Sequence, residues 1–236
     1  MVRRHPVLSV PALRPVITAS ATLGAAVGVF GISFGVGAVS AGATVLQACV
    51  MSLLVFTGAS QFSAVSVIGA GGSVASAMSG ALVLAARNGV YALTTGRRVR
   101  GRLGTRLVAA QLTIDESTAM SVAQTEPTAQ RTAFWITGLA VYLFWNLGTL
   151  LGALLGSAVD PTTFGLDAAF PAGYVYMVWP LLRTRRGRTA AVVGAGSCLA
   201  LVPVLPVGVP ILCAALGVLV GVPRDREAPT HQELSA

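Results

Sequence analysis

Long uncharged stretches dominate the pattern of apolar and polar positions. No charged residue occurs from Pro15 to Ala86, and two further uncharged stretches cover Thr132 to Val159 and Thr189 to Pro223. A helix needs about 20 apolar residues to cross a bilayer core of roughly 30 Å, so the first stretch alone has room for about three crossings. The pattern predicts an all-α polytopic membrane protein.

Arginines lie between the apolar stretches. All sixteen basic residues are arginine, the formal net charge is +8, and the clusters fall within 3–14, 97–106, 183–188 and 224–226. Short arginine-rich loops are typical of the cytoplasmic side of a membrane, where they meet anionic lipid headgroups. The clusters predict a multi-pass protein of the cytoplasmic membrane with both termini inside. Without a globular basic face, no nucleic-acid partner is expected.

The arginine clusters also constrain the number of crossings. If each is cytoplasmic, an even number of crossings separates one from the next. Hydropathy offers three segments between the first two clusters: 18–41, 44–70 and 73–95. One of them should therefore not cross. The middle one contains TGASQFSA at residues 57–64, whose polar side chains predict a broken or re-entrant segment.

The next interval repeats the pattern with segments 107–126, 131–157 and 163–182. The first is short and contains Asp115 and Glu116, so it is the second predicted non-spanning piece. Helices over 189–205 and 207–222 complete a count of six full transmembrane helices plus two re-entrant or broken segments. Seven crossings are the alternative, with one terminus outside.

This count predicts three regions along the chain. They are a cytoplasmic N-terminal tail over 1–17, a transmembrane transporter domain over 18–222 and a cytoplasmic C-terminal tail over 223–236.

Glycines at helical spacing occupy one face of an early helix and one face of a later helix: Gly24, Gly28, Gly31, Gly35, Gly148, Gly152 and Gly156. Such faces favour close helix packing, and the alternative is that they line a central site between the halves of an inverted repeat.

Polar residues at membrane depth are the candidates for function, because they are costly there and usually face a cavity or a partner. Gln61, with Ser60 and Ser63, either satisfies backbone groups at the helix break or binds substrate beside them. Asp167 is interpreted mainly as a residue at the outer surface.

Arg87, Asn88 and Tyr91 form the second candidate group. Arg87 either anchors the helix, as an ion pair or by reaching the interface, or holds the carboxylate of a substrate with two parallel hydrogen bonds. Tyr91 lies four residues later and shares its helix face.

Asp115 and Glu116 are the candidates for coupling. Adjacent carboxylates repel, so one is expected to exchange a proton or bind an ammonium group. The alternative is a capping box in which Thr113 and Glu116 begin a helix.

Four segments, LLVFTGASQFSAV, AARNGVYAL, LTIDESTAM and GLDAAFPA, occur in an order and spacing that resembles the AzlC-type branched-chain amino acid permeases, also called LIV-E exporters. The resemblance implies gradient-driven export of leucine, isoleucine, valine and related apolar amino acids such as methionine. It also implies a small companion membrane protein of the AzlD type. The family often has Asn-x-Arg-His where this chain has Ala85, Ala86, Arg87 and Asn88, so a histidine proton relay is not carried over.

Other classes of function find less support in the sequence. No nucleotide-binding motif, cofactor motif or metal-ligand spacing occurs, and both histidines, His5 and His231, lie in the polar tails. An intramembrane serine protease would lack its base. A non-transporting scaffold has no need for Arg87 or Asp115 at depth, although it stays an alternative, as does transport of a different small amphipathic metabolite.

Overall fold

The protein is all-α wherever the computed structural model describes it, namely at residues 10–96, 99, 101–158, 175, 178–179, 181–206, 209–214 and 217. The predicted fold class is confirmed at this level. The chain forms two compact units, Met1–Tyr174 and Val175–Ala236. The single transmembrane domain over 18–222 and the six crossings stay predictions.

Seven α-helices lie in the described part of the first unit: α1 (Val10–Ser40), α2 (Val45–Val55), α3 (Ala59–Gly69), α4 (Val74–Thr95), α5 (Leu103–Gln111), α6 (Asp115–Val122) and α7 (Pro127–Ala158). Among the described residues, the segments Arg14–Ser40 and Pro127–Ala158 are long and apolar enough to cross a membrane. The 22 residues of α4 span about 33 Å, which is long enough to cross the bilayer core, but this helix carries the charged residue Arg87.

Helix α1 begins at Val10 instead of at residue 18. Hydropathy locates only the apolar part of a helix, whereas the helical backbone of α1 also includes Arg14 and Pro15, although Pro15 has no N–H to donate. The segment predicted as a tail over 1–17 is therefore helical from Val10 onward.

The glycine faces of α1 and α7 pack against each other. Contacts advance in the same direction along both helices, from Ser20 with Thr137 (Oγ to Oγ1, 2.8 Å) to Gly35 beside Gly152, so the two helices are parallel. A Cβ added at Gly31 would lie 2.5 Å from the carbonyl oxygen of Trp145. The close-packing interpretation is confirmed, because the two faces meet each other directly and leave no site between them.

This packing predicts that Gly31→Ala destabilises the protein by about 1 to 3 kcal/mol, the usual cost of overpacking. Thermal unfolding of the purified protein in detergent measures it. Gly104→Ala is the matched control, since a Cβ at Gly104 on α5 meets nothing within 4 Å. Equal unfolding temperatures for the two variants would contradict the predicted close approach.

Several polar side chains are buried with apolar ones inside the first unit, and further large apolar side chains cover its outside. Ser20, Thr137, Ser52 and Thr149 are fully buried, and Ser52 hydrogen-bonds Thr149 at 3.0 Å. Large apolar side chains are exposed along the helices, including Val29, Leu46, Leu82, Leu93, Leu139 and Leu151. A surface of this kind suits lipid rather than water.

The predicted break in segment 44–70 is confirmed, and there the chain folds back as a helical hairpin, α2–α3. Helix α2 ends at Val55 and α3 starts at Ala59. The end of α3 returns to the start of α2, because a Cβ at Gly69 would lie 3.2 Å from that of Ala41, just before α2. Helix α4 then runs back along α3, with Gly80 against Ser63.

A second broken pair, α5–α6, approaches from the other end of the unit. Helix α5 starts soon after α4 ends, and its last residue, Gln111, reaches α2. Helix α6 then runs back along α7, from Leu112 beside Gly138 to Gln124, whose carbonyl accepts the Gln130 amide at 2.7 Å. Hairpin followed by long helix thus occurs twice, in opposite directions, which is the order expected of the predicted inverted repeat.

The described part of the second unit contains a 3₁₀ turn (Leu181–Arg183), α8 (Arg185–Leu201) and α9 (Val209–Ala214). Helix α8 is capped by Thr184, whose hydroxyl accepts the N–H of Gly187 at 3.0 Å. The two helices approach closely where a Cβ at Gly194 would lie 3.2 Å from the carbonyl oxygen of Ala214. Most of the predicted helix 163–182, including Asp167, and the end of 207–222 lie outside the described residues.

Candidate functional site

The first helix break is built by Phe56, Thr57 and Gly58, between α2 and α3. Phe56 and Gly58 both have positive φ, of 28° and 61°, and glycine relieves the strain at the second position. The Gln61 side chain closes the break. Its Oε1 accepts the N–H groups of Thr57 (3.2 Å) and Gly58 (3.1 Å), and its Nε2 donates to the Met51 carbonyl (3.4 Å).

Gln61 therefore satisfies backbone groups freed by the break, which is one of its two predicted roles. The residue is fully buried and its amide is engaged at both ends. Ser60 is buried beside it and hydrogen-bonds the Thr57 hydroxyl. Ser60 and Gln61 both lie in the first turn of α3, beside the break, and substrate binding by either residue stays a prediction.

The second break, Leu112 to Ile114, has the same length and the same type of cap. Ile114 precedes α6 as Gly58 precedes α3, and the Ser117 hydroxyl accepts its N–H at 3.2 Å, as Gln61 does for Gly58. The predicted capping box of Thr113 and Glu116 is wrong. The Thr113 hydroxyl instead donates to the carbonyl of Ala109 at 2.7 Å, back along α5.

Arg87 on α4 links the two breaks. Its Nη1 lies 2.7 Å from Asp115 Oδ2, at the first residue of α6, and its Nη2 donates to the Thr57 carbonyl at 3.3 Å. The two side chains are 34% and 37% exposed, so the pair is neither fully buried nor freely solvated. Arg87 is thus an ion-pair residue as the structure stands, which is one of its predicted roles.

The remaining candidate residues lie around this pair. Tyr91, one turn after Arg87, interacts with the Asp115 carboxylate. Glu116 is half-buried and close enough to Asp115 and Arg87 for an electrostatic interaction. Asn88 is half-buried, and its Oδ1 accepts no hydrogen bond from any described residue. One cation thus faces two carboxyl groups at the meeting point of two helix breaks.

Three contributing residues were not predicted. Gln111 Nε2 donates to the carbonyls of Leu53 (2.9 Å) and Leu54 (3.2 Å), and the Tyr142 hydroxyl donates to the same Leu53 carbonyl at 3.0 Å. Ser117 is the third, as the cap of α6. Gln111 and Tyr142 each interrupt an apolar run, which is the signal that singled out Gln61, whereas Ser117 directly follows Asp115 and Glu116.

An apolar cavity of about 400 Å³ lies between the legs of the α2–α3 hairpin, beside the end of α1. Small and aliphatic side chains dominate its lining, among them Ala38, Ala48, Met51, Ala64, Val65 and Ile68. Its volume lies within the range of small-molecule pockets, and its walls suit an aliphatic group.

Comparison with known proteins identifies one family. The family model described as "AzlC protein" matches residues 22–159, which is more than half of the chain. An "Uncharacterized membrane protein" of Helicobacter pylori is 28% identical over 149 residues, covering 62% of this chain and 65% of its own length. The match therefore spans somewhat less than two thirds of that relative. No solved structure matches.

Proposed function

The chain belongs to the AzlC family of membrane transport proteins, and on that premise we propose that it exports branched-chain and related apolar amino acids across the bacterial cytoplasmic membrane. Leucine, isoleucine and valine are the main substrates, and methionine is a further one. The proton gradient drives export. A small AzlD-type membrane protein is the partner, and the arginine-rich loops and both termini lie in the cytoplasm.

The observation that carries this proposal is the Arg87–Asp115 ion pair where the two helix breaks meet. Broken helices at the meeting point of two repeats are where secondary transporters bind substrates. A zwitterionic amino acid presents a carboxylate and an ammonium group, and the pair offers one partner for each. Arg87 exchanges Asp115 for the substrate carboxylate, and Asp115 takes the ammonium.

This exchange keeps charges balanced with and without substrate. In the empty site the guanidinium neutralises Asp115, so neither member of this pair is left uncompensated in a partly buried place. In the loaded site each charge of the substrate replaces one member of the pair. The apolar cavity is a separate feature of the hairpin, because neither Arg87 nor Asp115 lines it.

Transport of radiolabelled leucine tests the proposal. Inverted vesicles from cells expressing the chain together with an AzlD-type protein should accumulate leucine when a proton gradient is imposed, and a protonophore should abolish the accumulation. Glutamate is the control substrate, because Arg87 is the one cation among the described residues of the site and a second substrate carboxylate would have no cationic partner there. Accumulation no greater than in vesicles without the protein, at every gradient tested, would contradict amino acid export.

A further inference from the structure

The two hairpin tips are the helix breaks at 56–58 and 112–114, which share one buried apolar cluster through Phe56, Leu112 and Ile114 and are also joined by polar contacts. Helix α3 packs on α4, α6 packs on α7, and α2 packs on α7, so each hairpin rests on a long helix rather than on the other hairpin. Two side chains link the tips among the described residues. Arg87 joins Thr57 to Asp115, and Gln111, the last residue of α5, donates to Leu53 and Leu54 at the end of α2.

The two links differ in what a substrate does to them. In the proposed function, on which this inference rests, Arg87 leaves Asp115 for the substrate carboxylate. Gln111 touches only backbone carbonyls, at the end of a helix where they lack partners within the helix. Its link therefore persists when the ion pair opens.

We infer that Gln111 is the positioning residue that holds the hairpin tips closed, and that its two hydrogen bonds must break in each transport cycle. Hydrogen bonds can be exchanged for others with little net change in free energy, whereas a packed apolar interface cannot separate as easily. Once Arg87 has left Asp115, the Gln111 amide is the remaining polar link between the tips among the described residues, and two hydrogen bonds are weak enough to open. Tyr142, which donates to the same Leu53 carbonyl, keeps that group satisfied when Gln111 leaves.

Thiol accessibility at the second tip tests this inference without any substrate. Ile114 is only 6% exposed, so Ile114→Cys is a buried reporter when the tips are closed. The background carries serine at Cys49, Cys198 and Cys213. We expect Gln111→Met, which keeps the length but loses the donor, to speed labelling by a water-soluble thiol reagent about ten-fold, the effect of about 1.4 kcal/mol.

Two further variants separate a gate from a general loss of stability. Gln130→Met is the matched control, because Gln130 also donates its amide to a backbone carbonyl, but near the start of α7. Gln111→Glu should label fast at neutral pH and slow down relative to Gln111→Met in acid, since a protonated carboxyl group regains one donor. Labelling of Gln111→Met at the rate of Gln130→Met would overturn the inference.

Transport assays keep this test distinct from that of the proposed function. If Gln111→Met labels faster but the unmodified protein does not transport leucine, the gate is supported and the proposed substrate is refuted. If the unmodified protein transports leucine but Gln111→Met labels at the unchanged rate, the gate is refuted. If Gln111→Met does not fold, as judged by size-exclusion chromatography, Gln111→Asn replaces it. Its shortened side chain cannot reach both carbonyls, and the same criterion applies.

Discussion

Arg87→Leu is expected to abolish leucine transport, and Arg87→Lys is expected to weaken substrate binding about ten-fold or more. The guanidinium reaches Asp115 and the Thr57 carbonyl at once through two different nitrogens, at 2.7 and 3.3 Å. An ammonium is a single point charge and cannot reproduce this fork, nor can it grip a carboxylate with two parallel hydrogen bonds. Leucine binding to the purified variants, followed by scintillation proximity, measures the effect.

A double variant distinguishes a substrate ligand from a purely structural cation. Arg87→Leu leaves the Asp115 carboxylate without its partner, and this alone can impair folding. Arg87→Leu combined with Asp115→Asn removes both charges and should restore the yield of folded protein. If Arg87 binds the substrate carboxylate, transport stays absent in the double variant. Recovered transport would mean that Arg87 only neutralises Asp115.

Arg131 provides the matched control for these variants. It is exposed near the start of α7, away from the two breaks. Arg131→Leu and Arg131→Lys should transport leucine as the unmodified protein does. An equal loss in the Arg131 and Arg87 variants would point to the number of positive charges rather than to the position of one guanidinium.

The helix breaks were predictable because they violate the local pattern. Gly58, Ser60 and Gln61 interrupt an apolar segment, and buried polar groups require partners. The same reasoning located the second break beside Asp115. Charge counting along the chain then indicated that the segment 44–70 turns back, and α2–α3 does turn back.

Contacts between residues far apart in the sequence were not predictable in this way. Gln111 and Tyr142 donate to Leu53, which lies far away in the sequence, so no local spacing marks the contact. The predicted cap of α6 was wrong for another reason. Both Thr113 and Ser117 offer a hydroxyl near the helix start, and the choice depends on α5, whose Ala109 carbonyl takes the Thr113 proton.

The pairing of Arg87 with Asp115 could not be predicted from the sequence for a related reason. Each was identified as a polar residue at depth, but hydropathy does not state which polar residues meet. The structure brings the end of the first hairpin, the middle of α4 and the start of α6 to one place. At that place Asp115, and not the adjacent Glu116, forms the ion pair with Arg87.

Glu116→Gln is expected to abolish proton-driven accumulation of leucine while retaining leucine exchange. Adjacent residues on a helix point about 100° apart, so Asp115 and Glu116 cannot both face Arg87 in the same way. Asp115 is the closely bonded partner at 2.7 Å, which leaves Glu116 free to gain and lose a proton beside a cation that is already paired. Exchange of internal for external leucine needs no net proton movement, so it survives the loss of this carboxyl group.

Asp115→Asn should have the opposite profile, with weakened leucine binding and with the remaining transport still dependent on the proton gradient. Proteoliposomes loaded with leucine measure exchange, and an imposed pH gradient measures accumulation in the same preparation. Glu126→Gln, in the exposed segment before α7, is the control for removing a carboxylate near these helices. Full proton-driven accumulation by Glu116→Gln would exclude Glu116 as the coupling residue, because a glutamine cannot carry the proton across.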